Sequence, residues 1–452
     1  MTLAARIARF TTALEAPTIP TEVLEKARTC LLNAYGIGLG GHATPYAPVA
    51  RRAALAMEGE VPKGATLLGD GRTTTIGGAC LANAALFHGR AQEDTCGAAH
   101  FGTILIPLLT ALLEARRYPM ARLLPALVAG YEVGGLLEKA YAGYTTPSGF
   151  RSSALYGVIA AAAAAARMME FSAAQTAAAL ANAVSFTGGV LQSFADGTDE
   201  WRYQVGQAGR TGLAAAELAR AGSVSAPLAF EGKSGLVRAF AGQDCEVGEL
   251  AASLGDDWAM LRVAFKPYPV CAFNQTPVMA ALALREQLAG TALAGVRVRM
   301  NPYEIGYAGM DAVGPFHTIS GTLMSIPFCI ATTLLHGAPD MRRMTTYDDP
   351  EVATLIRRIQ LVPDPTVPVL SAVIEAETAD FRCLVREQRM TPADYSYDRA
   401  TVSAMVRRIG GEEGVPVVAF DRVEAFVARL PDAAVQEIVG AFALLQPEQA
   451  FT

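Results

Sequence analysis

The stretch "SSALYGVIAAAAAAARMMEFSAAQTAAALANAVSF", Ser152 to Phe186, decides what kind of protein this is. It reads either as membrane-spanning helix or as helix buried inside a globular domain. A span needs ~20 consecutive apolar residues. The run Ala160–Ala166 is uncharged but only weakly hydrophobic, and Phe171–Ala195, also uncharged, carries Gln175, Asn182, Ser185, Thr187, Gln192 and the pair Gly188-Gly189. These are interior helices whose small side chains allow close approach, and a membrane is not expected as a partner. An apolar excess of this kind is commonly hidden in an oligomer interface.

Working outward, the rest of the chain agrees. It has 452 residues, 52% hydrophobic and 18% charged, which describes a large core and excludes a disordered or solvating chain. Net charge is −6 without a Lys/Arg-rich run, so nucleic acid is not expected as a partner either. The N-terminus "MTLAARIARFTTALEAP" lacks a long apolar segment and reads as a first helix. Seven scattered cysteines without a CxxC pair fit reduced thiols and a cytoplasmic enzyme.

Apolar residues at helical spacing continue through "TEVLEKARTCLLNAYGIGLGG", where Thr21 is the expected cap and Gly36, Gly38, Gly40 and Gly41 the expected stop. Further helices are predicted over 77–88, 103–116, 120–140, 153–169, 173–185 and 205–221. Near Lys266 the period changes. "GVRVRMNPY" alternates Val296, Val298 and Met300 against Arg297 and Arg299, a half-buried strand, and "VLSAVIEAETAD" reads as a second. Helices are predicted at 322–335 and 351–362 between them, and at 399–409, 421–429 and 434–445 after them. The fold class is therefore mainly α with a smaller α+β domain. Residues 1–262, completed by 393–452, form the large helical domain, and 263–392 the α+β domain.

Common signatures for nucleotides, zinc peptidases and serine hydrolases are absent, and the one GxGxxG match, at Gly36, Gly38 and Gly41, follows a helix rather than a strand. What remains is chemistry by side-chain acids and bases. Polar groups gather in four places. "ALFHGRAQEDTCGAAHFGTILIP" puts His88, Arg90, Glu93, Asp94, Thr95 and His100 just before an oily run, in a chain with only five histidines. Cys96 and His100 have a spacing compatible with a metal, but no second pair follows, and no metal is expected. "YAGYTTPSGFRSSALYG" offers Tyr144 and, at a helix start that favours an anion, Arg151. "SFADGTDEWRYQVG" offers Trp201, Arg202 and Gln204, and "FKPYPVCAFNQ" offers Lys266 and Tyr268. Taken singly, each has a structural reading: a satisfied core histidine, an arginine paired to a carboxylate, a rigid Pro turn, a helix cap. As a set, at loops entering helices, they suit one pocket.

The chain resembles the MmgE/PrpD family nearly end to end, through "NAALFHGRAQEDT…HFGTILIP", "LLPALVAGYEVGGLL", "GFRSSALYGVIAAAAAAARMM", "FEGKSGLVRAF", "FKPYPVC" and "SIPFCIATTLLHG". That family includes 2-methylcitrate dehydratase, cis-aconitate decarboxylase and iminodisuccinate epimerase. The resemblance implies a large helical domain built from both chain ends, an inserted α+β lid domain, a homodimer, and a site for small carboxylates with no metal or organic cofactor. Several positions depart from the family pattern. Where members read "DFDDT", Ala91 stands in the first aspartate's place and Glu93 is the next acid, with Asp94 and Thr95 kept. His100 matches the later histidine. Arg151 stands where a histidine is common, Trp201 replaces a lysine, Gln204 replaces a histidine, and Arg202 and Lys266 are kept. Arginine cannot serve as an ordinary base near neutral pH but grips carboxylates well.

The expectation is a cofactor-independent enzyme that takes a proton from a carbon beside a carboxylate. His100 or Lys266 is the candidate base, with Tyr144 or Asp94 handling the second proton. Arg151 and Arg202 are candidate anion holders, and Thr95, Glu93, Trp201, Gln204 and Tyr268 are candidate substrate contacts. Loss of a β-hydroxyl makes it a dehydratase-like lyase; return of the proton on the opposite face makes it an epimerase. A larger acid as substrate, suggested by Trp201, Tyr144 and Phe150, and a non-catalytic binding role are the other readings.

Overall fold

In the computed structural model, which describes residues 1–445, the chain divides into two compact units. The larger comprises 1–190, 202–265 and the C-terminal stretch from Tyr397, and the smaller comprises Leu191–Trp201 and Lys266–Ser396. The stretch 191–201, assigned from sequence to the helical domain, thus groups with the smaller unit. Trp201 explains why: its ring stacks on Phe194 at 5.1 Å and its indole N–H donates to Ser320 Oγ at 3.2 Å.

The larger unit is helical apart from a short antiparallel hairpin, β1 (Ala65–Thr66) with β2 (Thr73–Thr74). At its centre the helix Leu123–Thr145 lies against Ser152–Met168, the helix that carries the alanine run. Every residue from Ala160 to Ala166 is buried. Leu123–Thr145 belongs to the one helical segment among the described residues long and apolar enough to cross a bilayer, and 83% of that segment's apolar window is buried inside the protein. Small residues set this packing: a Cβ on Gly134 would lie 2.6 Å from Phe101 and 2.9 Å from Ala160.

The helix Thr21–Gly40 departs from the sequence expectations at its cap and in part at its stop. Thr21 is its first residue rather than its cap; Pro20 stands at the cap and its carbonyl accepts from Val23 and Leu24. Of the four glycines expected to stop the helix, Gly41 does stand at its C-cap, but Gly36, Gly38 and Gly40 lie within it. A Cβ on Gly36 would sit 2.5 Å from Val406 and one on Gly40 2.7 Å from Ile409, so their absence lets the helix Arg399–Glu412 press against this one. A single glycine costs a helix about 1 kcal/mol relative to alanine, which close packing can offset. The C-terminal stretch thereby completes the first unit.

The smaller unit holds a four-stranded sheet in the order β4-β3-β5-β6: β3 (Leu293–Met300), β4 (Ile359–Pro363), β5 (Ser371–Thr378) and β6 (Cys383–Arg389). β4 runs parallel to β3; β5 and β6 are antiparallel to their neighbours. Val296, Val298 and Met300 face the core, while Arg297 and Arg299 on the other face pair with Glu375 at 3.5 and 3.3 Å. The helix expected over 351–362 stops at Ile356, and Ile359 onward turns into β4, because the parallel ladder to β3 satisfies that backbone. The helix expected over 322–335 is two, Ile319–Met324 and Ile326–His336. Ser325 caps the second, and Pro327 fits its first turn but not a helix interior. β6, whose exposed and half-buried residues alternate, was not foreseen.

Buried glutamates clasp distant backbone in both units. Glu138 accepts from Ala98 N–H at 2.8 Å, and Glu304 accepts from Leu370 N–H at 2.9 Å. Burial pushes both carboxyls up to about 7. The folded state then holds protons that the unfolded chain releases above its ordinary value near 4.5. Their contribution is full below that value and is lost as pH rises through about 7. Glu138→Gln keeps the acceptor and removes the titration, so thermal melts of the variant should fall less steeply than wild type between roughly pH 5 and 7, by up to about 1 kcal/mol per pH unit. Equal slopes would refute this assignment.

Candidate active site

The loop from His88 to Phe101 joins two buried helices of the larger unit, Ile76–Phe87 and Gly102–Arg116. It turns twice with positive φ, at Ala91 (56°) and Gly97 (60°), and these turns bring its two histidines side by side with ring centroids 5.3 Å apart. Glu93 stands between them. One carboxylate oxygen lies 3.0 Å from His88 Nδ1 and the other 3.1 Å from His100 Nδ1. His88 and Glu93 are fully buried, while the His100 side chain keeps 16% exposure. His100 Nδ1 also lies 3.1 Å from the Asp94 carbonyl. Both neighbours of that nitrogen are acceptors, so Nδ1 carries the hydrogen of the neutral ring.

The loop is held from every side within this unit. Arg90 donates to Gln92 at 2.9 Å and to Glu412 and Glu413 at 2.5 Å each. Thr95 exchanges backbone bonds with Ala264 at 2.9 Å, and Glu138 holds Ala98. Ser153 Oγ accepts from the His100 N–H at 3.0 Å. Asp94 accepts a hydrogen bond from the hydroxyl of buried Tyr131. Burial, then the Asp94 charge, pushes the Tyr131 phenol well above its ordinary value, so it stays a donor. Asp94 lies over the start of the next helix: a Cβ on Gly102 would fall 2.2 Å from Asp94 Oδ1.

The arginines sit inside this framework. Arg151 is the cap residue of Ser152–Met168, with its N–H on Gly189 O at 3.0 Å. Its guanidinium donates to His88 Nε2 at 2.8 Å and to Gln204 Oε1 at 3.2 Å. Arg202 donates to the His88 carbonyl at 3.1 Å and lies 3.9 Å above the Tyr46 ring. Both were expected to grip a substrate anion; here they brace His88.

Of the residues anticipated from sequence, Glu93, Asp94, Thr95, His100, Arg151, Arg202 and Gln204 belong to this one unit and are linked as described. Tyr144 does not join them. It is half exposed and lines a separate cavity with Tyr141, Lys139 and Arg262. Trp201, Lys266 and Tyr268 belong to the smaller unit, where Gln275 bonds both backbone groups of Tyr268 at 3.2 and 3.0 Å. Cys96 turns away from His100 and donates to the Ala259 carbonyl at 3.6 Å.

Two members were missed. His88 was noticed only as part of a polar cluster, although the scarcity of histidine marked it. Lys26 is buried, lies 4.6 Å from the centre of the Phe265 ring, and has its pKa lowered by desolvation, against the pull of Cys30 and Asp94. Its signal was its place: Val23, Lys26 and Cys30 share one inward stripe.

Removing the Tyr131 hydroxyl strips a donor from the buried Asp94 carboxylate. Tyr131→Phe should lower unfolding free energy by about 1–3 kcal/mol in urea titrations. A loss under about 0.5 kcal/mol would mean the bond contributes little.

Comparison with known proteins agrees with this architecture. The MmgE/PrpD N-terminal domain matches residues 5–247 and the MmgE/PrpD C-terminal domain residues 268–389. The chain is 28% identical over 279 residues to the cis-aconitate decarboxylase-like protein oryM of Aspergillus oryzae, a match covering 58% of this chain and 57% of that protein. It thus spans less than two thirds of that relative. It is 25% identical over 382 residues to cis-aconitate decarboxylase of Aspergillus terreus, covering 78% and 77% of the two. With both domain models matched in order along most of its length, the chain belongs to the MmgE/PrpD family.

Proposed function

We propose that this chain is a cofactor-independent lyase acting on a small carboxylate, with His100 as its proton carrier. The observation that carries the reading is the Glu93–His100 pair. A carboxylate on Nδ1 orients the imidazole, stabilises its charged form and aims Nε2 away from the carboxylate, the arrangement of a general acid–base group. In the dehydratase-like reaction, His100 takes the proton from the carbon beside the carboxylate. The electron pair forms the carbon–carbon double bond, and the β-hydroxyl departs as water with a proton returned from the same imidazolium. Decarboxylation is the second reading, favoured by the names of the relatives. There the bond to a carboxylate breaks, carbon dioxide leaves, and the imidazolium protonates the carbon left behind. An inverting epimerase needs a second carrier on the opposite face, which the pair does not supply by itself.

The test is proton NMR of the purified protein in deuterated buffer with a panel of di- and tricarboxylates and β-hydroxy acids. A new alkene signal, or loss of a carboxylate with one deuterium gained, is expected, and His100→Ala should slow it by about a hundredfold or more while the protein stays folded. Exchange at the α-carbon without a net product would favour an epimerase instead. Undiminished turnover in His100→Ala would remove the histidine from the chemistry.

A further inference from the structure

We propose that Arg151 is a positioning residue that locks His88 in its neutral form with the proton on Nδ1, so that His100 is the sole proton-exchanging imidazole of the adjacent pair. A guanidinium has donors only and keeps its charge throughout the working range of pH. With Arg151 Nη2 2.8 Å from His88 Nε2, that ring nitrogen must offer its lone pair. The one ring proton then sits on Nδ1, the ring nitrogen that lies 3.0 Å from a Glu93 carboxylate oxygen. The order is fixed, with the Arg151 donor at Nε2 of His88, one Glu93 oxygen facing its Nδ1, and the other Glu93 oxygen 3.1 Å from His100.

The arginine is itself preset. Its N–H is tied to Gly189, and Nη1 donates to Gln204, whose own amide donates to the Val190 carbonyl at 3.1 Å. The charged and titratable groups around His88 include, among the described residues, Arg151 at Nε2, Glu93 at Nδ1, His100 beside the ring and Arg202 at the carbonyl. A proton on Nε2 would collide with the Arg151 donor and add a positive charge between that guanidinium and His100. His88 therefore relays orientation and not protons. The fixed tautomer rests on the geometry alone; its kinetic consequence rests on the role proposed above for His100.

The experiment is nitrogen-15 NMR of the full chain labelled at histidine, which has five such residues, each assigned by its own His→Gln variant. In wild type without substrate, His88 should show a protonated Nδ1 and an unprotonated Nε2, unchanged between about pH 5.5 and 8.5, a range in which an unperturbed imidazole titrates. Arg151→Met should free His88 to titrate in that range and steepen the acid limb of kcat/KM from one proton to two. Arg151→Lys, which still only donates, should restore the fixed tautomer and the single-proton limb. Wild-type His88 that titrates or carries its proton on Nε2 would overturn the proposal, as would an Arg151→Met profile identical to wild type. The wild-type spectrum needs neither variant stability nor a substrate, so it separates failure of this proposal from failure of the lyase reading.

Discussion

Glu93 is a carboxylate out of reach of water, and its position dictates much of what surrounds it. An ionised group at such depth costs several kcal/mol unless its lone pairs are met. Here an imidazole nitrogen faces each oxygen, at 3.0 and 3.1 Å, and one loop supplies all three residues. The left-handed backbone at Ala91 and Gly97 is a consequence: without those turns His88 and His100 would not face one carboxylate.

The same requirement explains the density of bracing. A general base is useful only if its angle is fixed, and angles on a loop are fixed by neighbours. Arg90 ties the loop to the end of the helix Arg399–Glu412 through Glu412 and Glu413, Tyr131 holds Asp94, Glu138 holds Ala98, and Ala264 pairs with Thr95. Glycines in the Thr21–Gly40 helix allow the helix Arg399–Glu412 to come close enough for the first of these. Packing far from the chemistry thus sets the direction of one imidazole.

Much of the architecture was legible in the residues. The alanine-rich helices, the change of period near Lys266 and the alternation of Val296 to Met300 each have one favourable burial pattern. The misreadings share a cause. Gly36, Gly38 and Gly40 look like a stop because their local preference is non-helical, and only the facing Val406, Phe87 and Ile409 reverse it. Ile359 continues a helical spacing until a strand beside it offers a ladder. At the site, Glu93 and His100 stood out by composition, but the direction of Arg151 did not: an arginine at a helix start suits an incoming anion as well as an imidazole, and only tertiary placement chooses. Lys26 was hidden by its own helix, where one charged residue on an apolar stripe is easily passed over.

The central claim is that Glu93 acts on the chemistry through His100. The most direct measurement is a double-mutant cycle on kcat/KM with Glu93→Gln, His100→Ala and the combination. Residues acting as one unit are strongly non-additive. The account predicts that Glu93→Gln slows wild type by about tenfold or more and slows the His100→Ala background scarcely at all. If the two losses multiply, Glu93 acts independently of His100, and the orienting pair at the centre of this structure is not the source of its activity.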